Sequence, residues 1–571
     1  MTEFIKTQNL FSDGEVSPEF FARDNINGLS KLENMDVLSG GGLSRRAGLK
    51  SIATLRGAAR LISFSISDDE EYLIVMTDYH MYIYHNDTRY QDLITPWSYQ
   101  DLSLLQYAQR FGTMIFVHPD HIPQVLSKDD DIFKMSDFAF LRNDSDMSVN
   151  IPFLKFDDAS DITITVSANN TGNNYATLTT NKNFWTSDNV LGRLYFLERQ
   201  WLITEYISPT QVVAYTNGSY TAPSNAISDW SESAFSNRRG WPCSITFHQD
   251  RLIFGGSRDW PSGIWMSHVG VHDNFNVGTG LDNEAIFITL LSKQRQQICT
   301  IVSSDNLQIL TNAGEWVISN SPLTPSSVNI MQHTSVGSYP SHYLPPQKIE
   351  NTTIFISGNG HDVRELSLDE IGGKYNANDL CALSKHLLHE PTDMTYNASQ
   401  RRLYIVRSDG EMAVLNRNST LGISAWGTYK TNGRFLSVCT CDNKTYAVIA
   451  RGDNFLLEYF DVNEMYDCGN MNISFCASGL PLRFSKHNAQ KFRVRKLTAR
   501  VIDTKSVFIN NHRVSLPNEI YTSDCTGFSG DVSINLFGTS GDFMKPIWVI
   551  HGSEPYPITV ISVTIYGSYS I

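Results

Sequence analysis

The chain has 571 residues, 41% apolar and only 18% charged, with a net charge of −14. That apolar fraction excludes a disordered chain, and the length admits roughly two to four domains. The acidic balance argues against tight phosphate binding and suits either plain solubility or a surface that DNA slides past without sticking.

Neither the opening MTEFIKTQNLF nor any later stretch has an apolar run of signal-peptide or membrane-spanning length, so a soluble product of a cytoplasm is expected. Residues 1–55 read as an extended arm. Gly14, Pro18, Gly28 and Gly40-Gly41-Gly42 leave it little regular structure. Phe11, Phe20, Phe21 and Leu29 are its apolar anchors, and Arg45 and Arg46 are suited to pairing with carboxylates. Two seats are open to such an arm, the chain's own sheets or a neighbouring subunit, and the first is the preferred reading.

From residue 56 a β-pattern begins. Its clearest unit is WPCSITFHQDRLIFGGSRDWPSGIWMS, residues 241–267, which reads as strand, tight turn, strand, Gly-rich turn, strand. The second strand of such a unit recurs at Tyr72, Thr113, Leu252, Leu307, Ile354, Leu403 and Tyr446. The spacing is about 41–55 residues except for one gap of about 139, between Thr113 and Leu252. Several strands per period of 40–50 residues indicate propeller blades, because a blade buries its faces only against its neighbours. The competing reading is a large irregular β-sandwich.

The fold expected is therefore all-β: a propeller of about six to eight blades, with an inserted β-rich domain and a C-terminal β-sandwich-like region. Residues 56–135 hold the first blades and 241–465 the rest. Residues 136–240 form the insertion, with room for one further blade, and 466–571 the C-terminal part. The last blade has the option of closing with an N-terminal strand. The best helix candidate is Ala377–Leu388, where Leu380, Leu383 and Leu387 fall at helical spacing.

Little points to chemistry. His118-Pro119-Asp120-His121 offers two metal ligands without a third, and reads as a loop histidine pair. Asp129-Asp130-Asp131 lacks the alternation of a calcium loop. Gly40-Gly41-Gly42 is followed by no Lys-Ser/Thr, so it is no phosphate loop. Eight scattered cysteines read as buried thiols, including Cys439 and Cys441 on one face of a strand. No cofactor, metal or catalytic residue is assigned.

Residues 9–48, NLFSDGEVSPEFFARDNINGLSKLENMDVLSGGGLSRRAG, resemble the opening of the tail nozzle proteins of short-tailed bacteriophages, also called tail tubular protein B. The matching positions include Gly14, Glu15, Pro18, Arg23, Asp24, Arg45 and Arg46; Ala47 stands where the family usually has Pro. The resemblance continues collinearly to about residue 460. It passes through His248, Arg251 and Trp265 in residues 241–276, Glu315 and Trp316 in ILTNAGEWVI, and Arg364 and Glu365 in VRELSLDE.

The resemblance implies a non-enzymatic virion subunit, assembled in the bacterial host cytoplasm, with those residues as scaffold. It implies a homo-hexameric ring below the portal and adaptor that extends the DNA channel and gates genome exit. Its implied partners are adaptor-ring proteins, tail fibres or spikes, and passing double-stranded DNA without sequence-specific binding. The alternatives are a receptor-binding or adhesin propeller of a phage tail and, less favoured, a propeller glycosidase.

Overall fold

Every apolar marker run is the second strand of a four-stranded antiparallel array; five arrays are separate sheets, and those holding Leu403 and Tyr446 are continued by further strands. This computed structural model describes all residues except 1, 22, 24, 25, 68, 145–146, 168–173, 293, 370, 483–490, 517–526, 541–544 and 571. Tyr72 lies in strand Glu70–Thr77, between Arg60–Ser67 and His80–His85, with Thr88–Ile94 outermost. Thr113, Leu252, Leu307, Ile354, Leu403 and Tyr446 occupy the same place in six further four-stranded arrays. These are the blades of a β-propeller.

The chain divides into two compact units, Met1–Asp92 with Leu344–Ile571, and Leu93–Tyr343. Within the first, four blades stack through their leading strands in the order Gln347–Ile349, Pro391–Asn397, Arg434–Cys441, Arg60–Ser67. Within the second, three blades stack in the same way through Gln106–Arg110, Ser244–His248 and Ile298–Ser303.

The stacking explains why the marker strands are continuously apolar rather than alternating. Successive side chains of a strand point to opposite faces. In strand Lys444–Arg451, Tyr446 and Val448 pack toward Leu61, Leu73 and Val75 of one neighbouring blade. Ala447 and Ile449 pack toward Tyr404, Val406 and Val414 of the other. Both faces are core, as in other sheets covered on two sides. Cys439 and Cys441 lie in the first of these interfaces as buried apolar filling.

The blade led by Arg434–Cys441 takes its fourth strand from far upstream. Gly48–Leu55 pairs antiparallel with Asn454–Asp461, from Asp461 opposite Gly48 to Phe455 opposite Leu55. An N-terminal strand thus closes this blade and leaves no bare edge there.

The rest of the N-terminal arm is woven into a β-sandwich with the C-terminal region. One layer runs Met35–Val37, Leu43–Arg45, Thr559–Ser570, Lys491–Thr504, Phe528–Ser540, and Thr2–Gln8 adds to Thr559–Ser570. The facing layer joins Gly28–Glu33 to Phe475–Gly479 and Val549–Gly552. Leu29, Leu32, Leu43, Phe475, Leu497 and Val501 are all buried in the core they share. The arm therefore takes the intramolecular seat.

Seven strands between Phe153 and Ser233 form one sheet. The spare room in the 136–240 region is filled by this sheet rather than by a further blade. The helix expected at Ala377–Leu388 does not form. Lys374–Asp379 is instead the outer strand against Val363–Asp369, and a single 3-10 turn, Lys385–Leu387, follows. The strand ladder outcompetes the leucine spacing, and the Cys381 amide donates to Asp379 Oδ1 at 3.0 Å to turn the chain.

Candidate functional site

Most of the residues singled out by sequence lie in buried polar clasps that hold strands together. Gly14 begins the first clasp. Its φ is 62°, and a Cβ there would stand 2.4 Å from both the backbone N and O of Trp426. Only glycine tolerates that conformation and approach. The approach seats Glu15, whose Oε2 accepts from the Leu32 amide at 2.7 Å and whose Oε1 lies 3.0 Å from His386 Nε2. Pro18 heads the 3-10 turn Pro18–Phe20, pre-setting its first dihedral. Arg23 follows it, exposed, and Asp24 lies outside the described residues.

Arg45 and Arg46 point to different partners. Arg45 gives its guanidinium to four backbone carbonyls: Glu554 at 2.5 Å, Ile473 at 2.8 Å, Tyr556 at 3.1 Å and Met465 at 3.2 Å. Burial, with Arg46 alongside, lowers its pKa to about 10, so it stays charged at neutral pH. Arg46 meets the expectation of a carboxylate partner. It grips Asp467 with both terminal nitrogens, at 3.0 and 2.7 Å, and both side chains are almost fully buried. Its plane is also 5.5 Å from the Tyr429 ring centroid and 5.8 Å from that of Phe460.

The blade at 244–289 has a similar pin. Arg251 is fully buried and donates to the carbonyls of Glu284 at 2.6 Å, Ser267 at 2.7 Å, Asp282 at 2.8 Å and Leu323 at 3.2 Å. Desolvation lowers its pKa. His248 Nδ1 lies 2.9 Å from Ser303 Oγ, tying this blade to the next. Trp265 is buried between Phe235 and Phe287. In the following blade Trp316 donates to Gln296 Oε1 at 2.7 Å. Its neighbour Glu315 is fully buried and held by the Thr334 hydroxyl and the Val336 amide. Burial pushes the Glu315 carboxyl up. Glu365 accepts from Arg417 at 2.6 Å and from Thr352 at 3.0 Å, while Arg364 pairs with Asp362 at 3.2 Å and lies 3.6 Å from Asp379.

One hub was not singled out by sequence reasoning. Arg239, at the foot of the insertion, reaches Glu232 at 2.5 Å, Asp158 at 2.9 Å and Asp259 at 3.2 Å, and lies 4.0 Å over the Phe156 ring. It fastens the inserted sheet to the blade beside it. The only sequence signal is the Arg238-Arg239 pair just before Trp241, where the insertion was expected to end.

Two groups could suggest a metal. Asp362, Asp379 and Cys381 converge, but Lys385 already neutralises the carboxylates at 3.0 and 3.2 Å, and Arg364 adds a second cation. Burial pushes the Cys381 thiol up to about 12, so it offers no thiolate. The His118 and His121 rings lie 4.9 Å apart, but among the described residues they do not draw together with a third ligand atom as Asp362, Asp379 and Cys381 do. His118 is buried, and His121 lies 3.4 Å from Asp101. These clasps join strands in two ways: Glu15, Arg45 and Arg251 pair backbone groups, while Arg46, Arg239 and Glu365 pair opposite charges.

No protein-family model and no curated protein matches the chain. Several solved structures are similar at low identity. The WD40 repeats of RRP9 share 7% identity over 73% of this chain and 99% of theirs, with a TM-score of 0.37. U3-55K shares 7% over 72% of this chain and 98% of its own, at 0.36. The Pan2 WD40 domain of Neurospora crassa shares 10% over 73% and 95%, at 0.31. Identities and scores this low add nothing to the sheet order described above.

Proposed function

We propose that this chain is the ring subunit of a phage tail nozzle, a structural part that extends the DNA channel and gates genome exit. The observation that carries the reading is the collinear resemblance over about residues 9–460. What supports it is the use the fold makes of the matching residues. Gly14, Glu15, Arg45, Arg46, Arg251 and Glu365 are committed to holding strands. A part that must withstand a pressurised genome gains from termini that cannot fray, and here strands from residues 2–55 are sewn into the sandwich and the closing blade. The role is mechanical and electrostatic rather than catalytic. A net charge of −14 suits a wall past which DNA moves without binding.

In the virion the subunit forms a homo-hexamer docked to an adaptor ring and to fibres or spikes, as closed rings with large interfaces do. The test is to mix the purified chain with its adaptor protein and image the product by electron microscopy. Six-fold rings are the expected result. A product that stays monomeric at every ratio refutes the assignment. DNA retention by such a ring at physiological salt refutes the acidic channel.

A further inference from the structure

The inserted sheet has one face with no core of its own. Leu194, Phe196, Trp201, Ile203, Val212 and Ala214 point to one side and fill the buried core of the insertion. By strand alternation their neighbours point the other way. The pairings of Tyr195 with Gln200, Arg193 with Leu202 and Leu202 with Tyr215 put these side chains on a single face.

That face walls a cavity of about 830 Å³, within the range of small-ligand sites, about 300–1,000 Å³. The opposite wall is Arg142, the segment Met147–Pro152 and the loop Phe275–Gly278. Both walls are braced. Gln200 accepts from the Val149 amide at 3.0 Å and donates to the Val149 carbonyl at 2.8 Å. The Phe275 amide donates to the Asn150 carbonyl at 3.0 Å.

The charges here do not cancel. Among the described residues, Arg142, Arg193 and Arg199 line the cavity against one exposed acid, Glu198. Among the described residues none of the three arginines has an ion-pair partner. Arg199 donates to the Ser219 carbonyl at 3.0 Å and Arg142 to Met147 Sδ at 3.0 Å. Arg193 is partly buried, and its desolvation, with Arg142 nearby, lowers its pKa. Elsewhere in this fold a buried arginine has a carboxylate or a set of carbonyls, as Arg46, Arg239 and Arg251 do.

Beside the arginines are aromatic faces and amides. Tyr195 is 42% exposed, its ring backed by Phe153 at 5.6 Å, and Tyr215 is backed by Tyr175 at 5.1 Å. The Asn150 and Asn217 amides line the same space.

We propose that this cavity binds a carboxylate-bearing saccharide. The arginine pair Arg142 and Arg193 takes the carboxylate by charge-assisted hydrogen bonds. Tyr195 and Tyr215 take the C–H faces of the sugar rings, and the amides take hydroxyls. A nucleic-acid backbone is the poorer occupant, because it needs cations spread along a track and here they converge on one pocket. An acidic peptide would use the arginines but has no need of the exposed tyrosine faces. The site stands apart from the ring assignment and holds whether or not the chain assembles.

The test uses the full chain against a panel of uronate- and sialate-bearing oligosaccharides, each paired with its carboxyl-reduced form, and a polyglutamate peptide as control. Binding is read by saturation-transfer NMR and titration calorimetry. At least one acidic saccharide is expected to bind in the micromolar to millimolar range. Carboxyl reduction, Arg193→Ala and Tyr195→Ala are each expected to weaken it at least about tenfold. Arg142→Ala, at an exposed position, is the second variant should Arg193→Ala fail to fold. No binding by any acidic saccharide at millimolar concentration overturns the proposal. So does binding indifferent to the arginine variants. Capture of polyglutamate alone, dependent on the arginines and indifferent to Tyr195→Ala, overturns it in favour of an acidic protein partner.

Discussion

Replacing Arg46 by methionine tests whether the buried clasps hold the fold. Arg46 makes five side-chain hydrogen bonds: to Asn34 Oδ1, to the carbonyls of Ala47 and Lys430, and two to Asp467. Methionine fills part of the volume and keeps contact with Tyr429 and Phe460, so the cavity left behind is small. The dominant loss is electrostatic. Asp467 keeps only the Thr431 hydroxyl, at 2.8 Å, in a site that is 2% exposed. Stranding one partner of a buried pair costs about 3–5 kcal/mol. For a unit this large each kcal/mol moves the melting temperature by roughly 2 °C, so a drop of about 6–10 °C is expected. Calorimetry of Arg46→Met, with tryptophan fluorescence during urea unfolding, measures it. The double variant Arg46→Met/Asp467→Leu should recover much of the loss, because an apolar pair carries no desolvation penalty. A single variant that loses less than about 1 kcal/mol refutes the reasoning, as does a double variant no better than the sum of its parts.

Gly14→Ala places a methyl 2.4 Å from the Trp426 backbone at a φ of 62°, and should cost at least about 2 kcal/mol in the same unfolding assay. A chain starting at residue 57 loses Gly48–Leu55, exposing the Asn454–Asp461 edge; it should elute as aggregate in size-exclusion chromatography, whereas the intact chain does not. His118 gives a pH signature: burial, with His121 close by, holds its pKa at about 4, so its imidazole stays neutral in the fold. Below about pH 6.5 the unfolded chain takes up a proton that the folded one refuses. Stability is therefore lost as pH falls from about 6.5 to about 4, by about 3 kcal/mol in total. His118→Gln should flatten that slope in urea unfolding of the Leu93–Tyr343 unit, and an unchanged slope would place the titration elsewhere.

Much of the blade architecture was legible because its signal is local. YLIVM, TMIFV, LQIL and YAVI are short, predominantly apolar and bounded by polar turns, and each forms a second strand buried on both faces. Leucine spacing suggests a helix at Ala377–Leu388 that does not form, because three leucines at helical spacing carry no information about the ladder that Val363–Asp369 offers. The clasps were visible as residues but not as contacts. Arg45 and Arg46 stood out, yet nothing in the chain's order tells one to take four carbonyls and the other to take Asp467, 421 residues away.

The sequence by itself determined the strand periodicity, the interruption before Trp241 and the scarcity of catalytic motifs. These follow from side-chain polarity and turn chemistry within a few residues. Only the tertiary structure decided that Gly48–Leu55 closes a blade with Asn454–Asp461, that the arm is shared out through the sandwich, and that three arginines meet two tyrosines beside the inserted sheet. Strand partners are chosen through backbone groups that every residue carries alike. Distant pairing therefore leaves little mark on the sequence until packing brings the strands together.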